Sequence, residues 1–344
     1  MKILVTGAAG FIGSAFVRHA IANSQQIVVI DKLTYAGHLK NLEGLINNQN
    51  LHFEHGDIAD SNFVASVFKK YPISAVVNFA AESHVDNSIH SPREFIDTNI
   101  IGTFVLLENS RSYWSTLSEN QKKQFRYLQI STDEVYGTLG DSGKFHEELP
   151  YRPNSPYSAS KAAADHLVRS WFHTYNLPTI TTNCSNNYGP RQYPEKLIPV
   201  MITKALKEEN LPVYGNGGNI RDWIHVEDHA AGVYLALTRG TPGETYCFGG
   251  NSERRNIDVV RAICLTLDEA APRPNGQSYS NLISFVQDRA GHDWRYAIDD
   301  SKAQAALGFE RKYKSFEEGL QATVSWYLTN TDWSSNVLKK KGSI

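Results

Sequence analysis

The stretch Ser131-Thr132-Asp133-Glu134-Val135-Tyr136-Gly137 sets a hydroxyl and two carboxyl groups side by side, directly after the apolar run Phe125 to Ile130. Adjacent carboxyls can serve as acid and base when separate environments hold their pKa values apart. Further on come Tyr157 and Lys161, four positions apart and so on one helix face. An ammonium beside a phenol favours the phenolate, so the spacing predicts a Tyr157 pKa lowered by Lys161 and a base for a hydroxyl proton. Near the start, Lys2 to Thr6 leads into Gly7, Gly10 and Gly13. Gly7 allows a tight turn, Gly10 lets a pyrophosphate approach the backbone, and Gly13 lets a helix pack closely on its strand. The phosphates would lie at a helix N-terminus. Together these pieces point to hydride transfer coupled to an elimination.

The elements that must position these groups alternate. Ile3 to Thr6, Ile27 to Ile30, His52 to Glu54, Ala75 to Phe79, Tyr127 to Ser131 and Thr179 to Asn183 read as strands, with helical patterns between them. That order predicts βαβ units and a parallel sheet. Ser91-Pro92 and Ser155-Pro156 each place a capping Ser before a first-turn Pro. The helices that follow are apolar on more than one stripe, from Phe95 to Leu107 and from Ala162 to Tyr175. Each is expected to pack on the sheet and, on its other side, on a second copy of the chain. After about residue 184 turn-rich segments such as Tyr214 to Asn219 and Pro272 to Gly276 interrupt the pattern, as in a smaller lobe that supplies loops to a cleft.

The 344 residues allow one large or two modest domains, and 41% hydrophobic with 20% charged residues fits a globular protein with a sizeable core. A net charge of −2 leaves no basic footprint for a nucleic acid. Lys339 to Lys341 reads as a solvated tail. Cys184, Cys247 and Cys264 suit neither a disulfide framework nor a zinc site, so no metal is expected. A reducing compartment follows, with the cytoplasm expected. The sequon at Asn183 is then accidental. The strand pattern begins at Lys2, which leaves no room for a signal peptide, and no apolar run approaches a membrane span.

Asp31 ends the second strand, eighteen residues after Gly13. A carboxylate there can accept from the adenosine ribose and repel a 2′-phosphate, which favours NAD over NADP, although Lys32 next door partly offsets that repulsion. Asp57 and Ile58 are placed to flank the adenine, and Ala80 and Ala81 to let backbone approach the dinucleotide.

These residues resemble the extended short-chain dehydrogenase/reductase superfamily over nearly the whole chain. Within it, Ser131 to Gly137 is similar to the nucleotide-sugar 4,6-dehydratases. Ala80 to His84, Asn186 to Pro190, Pro194 to Pro199, Arg221 to Asp228 and Asp288 to Asp293 agree with that family. The resemblance implies a Rossmann-like doubly wound parallel sheet with a smaller C-terminal α/β substrate-binding domain. The expected division is 1–183 plus about 222–247 for NAD, and 184–221 plus about 248–344 for the sugar nucleotide. It implies dTDP-glucose as substrate: oxidation at C-4, loss of water across C-5 and C-6, and hydride return to C-6. Tyr157 and Lys161 would serve the oxidation, Thr132 the C-4 oxygen, Glu134 the C-5 proton and Asp133 the departing C-6 hydroxyl. NAD would stay bound through each turnover and touch Phe11, Ile12, Thr34, Ser83, Thr98, Cys184 and Asn187 besides the residues named above. The substrate would meet His84, Asn186, Lys196, Leu197, Pro212, Asn256, Arg289 and His292, with Tyr214 stacking on the base and Arg221 neutralising the diphosphate. A homodimer through the helices after Pro92 and Pro156 is expected.

Four rival readings stay open. UDP-glucose dehydratases carry the same run of seven residues. A nucleotide-sugar 4-epimerase would share the glycine loop, Tyr157 and Lys161 but has no use for Asp133 and Glu134; a decarboxylase keeps only the glutamate. A catalytically silent NAD-binding protein is the reading outside enzymes, and the intact Tyr157 and Lys161 weigh against it.

Overall fold

The computed structural model describes residues 1–288 and 293–339. The six anticipated strands form: β1 (Lys2–Thr6), β2 (Gln26–Asp31), β3 (Leu51–His55), β4 (Ala75–Asn78), β5 (Arg126–Thr132) and β6 (Thr179–Cys184). With Thr245–Phe248 at one edge they make a seven-stranded sheet, ordered β3-β2-β1-β4-β5-β6-edge, every pair parallel. Parallel strands covered on both faces read as unbroken apolar runs. Ile3, Val5, Ile27, Val29 and Val77 enter one core with Phe16, Val17 and Val233. Leu4, Val28, Ile30 and Val76 enter the opposite core with Leu106, Val168 and Trp171.

The Phe11–Ala22 helix packs against the Val226–Arg239 helix on the first of these faces. The second lobe has its own core around Met201, Ile202, Val260, Ile263, Leu320 and Trp333. It holds a three-stranded sheet, ordered Glu253–Arg255, Ile220–His225, Asn186–Tyr188, and the parallel pair Leu211–Tyr214 with Ile283–Val286. The two lobes are tied at a distance. Buried Trp333 donates its Nε1–H to Asn41 Oδ1 at 2.9 Å, and Asn41 Nδ2 donates to Ala9 O in the glycine loop at 2.8 Å.

Of the two anticipated caps, one forms. Ser155 Oγ accepts from Ser158 N at 3.0 Å while Ser158 Oγ accepts from Ser155 N at 3.0 Å, opening the Pro156–Tyr175 helix. Ser91 makes no such side-chain bond, because it also ends the Val85–His90 helix and spends its N–H on Asn87 O at 2.8 Å. The helix expected to run on from Pro92 is also broken. Pro92–Phe95 is α-helical, Ile96–Gly102 is π-helical, and the α form resumes over Thr103–Ser115. A π-helical turn inside an α-helix shifts the face that side chains present, often next to a functional site. Here the turn carries Asn99, whose side chain bonds Glu82 N at 2.9 Å, Glu82 O at 3.0 Å and Ser160 Oγ at 2.8 Å. Among the described residues no helix is long and apolar enough to cross a membrane.

Candidate active site

The chain reverses direction across the sheet between β1 and β4. A crevice must open there at the carboxyl ends of the strands, where doubly wound sheets bind ligands. A cleft of about 320 Å³ occupies this place. All of the anticipated catalytic and cofactor residues line it: Gly7, Gly10 to Gly13, Asp31, Lys32, Thr34, Asp57, Ile58, Ala80, Ala81, Ser83, Thr98, Thr132 to Glu134, Tyr157, Lys161, Cys184 and Asn187.

At the cofactor end Gly7 sits at φ +64°, and a Cβ there would come within 2.6 Å of Ala80 N. A Cβ on Gly13 would run into the Gly7 carbonyl. Gly10 begins the Phe11–Ala22 helix with no side-chain cap, so a ligand can meet the helix N-terminus directly. This cradle fits a pyrophosphate. Buried Asp31 shapes it as well as facing the cleft: Oδ2 accepts from Ala9 N and Oδ1 from Leu33 N, both at 2.8 Å. Lys32 Nζ reaches Asp57 Oδ2 at 2.6 Å. Its charge is thereby turned toward Asp57, while Asp31 stays bonded to the glycine loop through Ala9 N.

At the reactive end Asp133 is only 2% exposed. Burial pushes its carboxyl well above the usual range, and neighbouring Glu134 and Asp222 push the same way against the pull of Arg221. The shift is in the direction a proton donor needs. Thr132 Oγ1 donates to Asp133 Oδ1 and accepts from Glu134 N, each at 3.3 Å, which orients the pair. Tyr157 departs from the expectation. Burial first, then Glu134 and Cys184, hold its phenol well above the ordinary tyrosine range. Lys161 Nζ donates to Ile130 O at 2.6 Å. The Cys184 thiol is buried and pushed up to about 12, mainly by desolvation; it donates to Ser131 O at 3.5 Å and accepts from Asn187 Nδ2 at 3.3 Å.

The substrate side is dispersed. Asn186 and Lys196 line the cleft, with Lys196 Nζ donating to Ser83 O at 3.3 Å. His84, Leu197, Pro212, Tyr214, Arg221 and Asn256 do not line it. His84 caps the next helix through Nδ1 and holds Nε2 3.8 Å from Glu195. Tyr214 is 49% exposed at the end of its strand beside Pro212, and Leu197 and Asn256 begin helices. Arg221 is buried, donating to the carbonyls of Ile220, Asp293 and Trp294, so its charge is felt at Asp133 from behind the cleft. Arg289 and His292 fall outside the described residues. Sequence reasoning missed Glu82, Gln192, Tyr193 and Glu195 on the cleft wall. Glu195 accepts from Tyr35 OH at 3.2 Å and joins loops of the two lobes. The signal for Glu82 and Glu195 was available, since both lie inside the quoted segments Ala80 to His84 and Pro194 to Pro199.

The family described as GDP-mannose 4,6 dehydratase matches residues 4–323. A dTDP-glucose 4,6-dehydratase of Neisseria meningitidis is 56% identical, over 98% of this chain and 96% of its own length. One of Escherichia coli is 54% identical, over the same shares of the two chains. The solved structure of the Bacillus anthracis dTDP-glucose 4,6-dehydratase in complex with NAD superposes with a TM-score of 0.86 at 44% identity, over 98% of this chain and 99% of that one. With the glycine cradle, the Asp133–Glu134 pair and the doubly wound sheet in place, the chain belongs to the dTDP-glucose 4,6-dehydratases of the extended short-chain dehydrogenase/reductase superfamily.

Proposed function

We propose that this protein is an NAD-dependent hydro-lyase that converts dTDP-glucose to dTDP-4-keto-6-deoxyglucose, a step of deoxysugar biosynthesis. One observation carries the reading. A buried carboxyl whose pKa is raised by its burial, Asp133, stands beside a second carboxyl, Glu134, in a cleft that also holds the glycine cradle for a dinucleotide. An epimerase removes no water and has no work for such an acid.

Gly7 to Gly13 would hold NAD, which would supply the hydride acceptor for C-4 and the donor for C-6. Tyr157 takes the C-4 hydroxyl proton, and Thr132 holds the C-4 oxygen. Lys161 binds the nicotinamide ribose. The ketone acidifies C-5, and Glu134 takes that proton. Asp133 protonates the C-6 hydroxyl so that it leaves as water. Glu134 then returns its proton to C-5. Asp31 accepts from the adenosine ribose. His84, Asn186, Lys196, Leu197, Asn256, Arg289 and His292 are assigned to the sugar nucleotide, Tyr214 with Pro212 to the base, and Arg221 to the diphosphate. Residues 1–183 plus about 222–247 carry the cofactor, and 184–221 plus about 248–344 the substrate.

The test is to incubate the purified protein with dTDP-glucose and UDP-glucose separately, adding no cofactor, and to follow mass. Loss of one water from dTDP-glucose, with UDP-glucose poor, is expected. Loss from UDP-glucose alone would overturn the base assignment, and isomerisation at constant mass would revive the epimerase.

A second copy of the chain is proposed on the helices after Pro92 and Pro156. Ile101 and Phe104 are 44% and 43% exposed, and the Phe104, Trp171 and Tyr175 rings form a continuous patch across both helices. The double change Ile101→Glu with Phe104→Glu is expected to convert a dimer to a monomer in sedimentation. A wild-type protein that already sediments as a monomer would refute the pairing. Three buried, unpaired thiols support the cytoplasm as its setting.

A further inference from the structure

Asp165 lies one turn beyond Lys161 on the Pro156–Tyr175 helix and is not part of the cleft wall. It is buried. Its Oδ2 accepts from Ser131 Oγ at 2.5 Å and from Tyr151 OH at 3.1 Å. Its Oδ1 is buried with no hydrogen-bond partner. A bare oxygen on a buried carboxylate is costly unless an opposite charge compensates it. Lys161, 5% exposed, brings that charge at i−4 on the same helix, and its ammonium has more N–H groups than the single bond to Ile130 O uses.

We propose that Asp165 is a positioning residue: it is the counter-ion that keeps Lys161 charged inside the cleft, and through Ser131 it holds the strand end that carries Thr132, Asp133 and Glu134. The proposal rests on the roles given above to Tyr157 and Lys161. The titratable groups acting on the ammonium are Asp165 on its own helix and Cys184 at the end of β6; Tyr157, Asp133 and Glu134 line the same cleft, and Tyr151 bonds Asp165. Burial drives Lys161 below the usual amine range, and Asp165 is the foremost group pulling it back up, followed by Cys184. Burial likewise raises Asp165 to about 6, and Lys161 is the foremost group pulling it down. Each of the two pulls the other toward its charged form.

Asp165→Asn preserves size and removes the charge. The alkaline limb of the kcat/KM profile is expected to move down by about one pH unit or more, since a nearby opposite charge shifts a pKa on that scale. Asp165→Glu is expected to return the limb toward its original position. In a Lys161→Met background, adding Asp165→Asn should change the residual rate by less than about twofold, as for sites whose coupling has been removed. A limb that stays in place, or an equal loss in both backgrounds, would overturn the proposal. If Asp165→Asn does not fold, Lys161→Met decides alone. With the cation gone, a protonated carboxylic acid band must appear in the infrared at a pH where the original protein has none, and its absence overturns the pairing. A Lys161→Met or Tyr157→Phe protein as fast as the original would instead sink the assignment of that pair, which is a separate result.

Discussion

Glu134→Gln will oxidise its substrate and then stall. The amide keeps the shape of the side chain but cannot take the C-5 proton. Dehydration followed by mass is expected to fall by about 10²–10⁴-fold, the usual contribution of a positioned general base. Stopped-flow absorbance should still show C-4 oxidation in a single turnover, because Tyr157 and Lys161 are intact. Deuterium from solvent should no longer enter C-5. The selectivity is the informative part. If oxidation and dehydration fall together, Glu134 is not the C-5 base, and the pair with Asp133 is doing something else. The reading turns on Asp133 and Glu134 being unlike. Burial raises the pKa of the first well above the usual carboxylate range, whereas the second reaches the cleft with its backbone N–H held by Thr132.

Tyr157→Phe will lose every step. Without the phenol the C-4 hydroxyl proton has no acceptor, so neither ketone nor elimination forms. A fall of about 10²–10⁴-fold in kcat is expected, with kcat/KM falling in parallel, the pattern of an interaction made only in the transition state. Calorimetric affinity for dTDP-glucose should change little, because the substitution removes one oxygen from a ring held by Phe95 at 6.3 Å between centroids. A large loss of affinity with kcat retained would assign Tyr157 to binding instead. Burial and the neighbouring Glu134 hold this phenol above the ordinary tyrosine range, so its use as a base requires a compensating positive charge.

The sheet was legible for a physical reason. Strands such as Ile27 to Ile30 are buried on both faces, and only a continuous apolar run satisfies that. The cofactor loop was legible because its glycines answer to backbone clashes that no other residue avoids. The cap at Ser155 could be read from four residues, since its box is local. Ser91 carried the same letters and failed, because the preceding helix ends on it, which is a tertiary fact. The π-helical turn at Ile96–Gly102 was hidden in the same way: it carries Asn99, which reaches Glu82 and Ser160, residues distant in sequence. Asp165 and Asn99 sit among other polar residues on their helices, where polarity usually marks the solvent face; here both are buried. Reading YxxxK as a pair placed Lys161 beside Tyr157, but the ammonium turned to a backbone carbonyl on the neighbouring strand. The small lobe was hardest to resolve. Its strands are three to six residues long, and its contribution to the cleft comes from loops.

The hydrogen-bonded line Trp333–Asn41–Ala9 has a consequence for synthesis on the ribosome. The glycine loop is among the first residues to emerge, yet the bonds that finish its shape wait for a side chain made more than three hundred residues later. Closing so long a loop is slow compared with forming local helices. One support behind the glycine loop is therefore completed only after nearly the whole chain has been made.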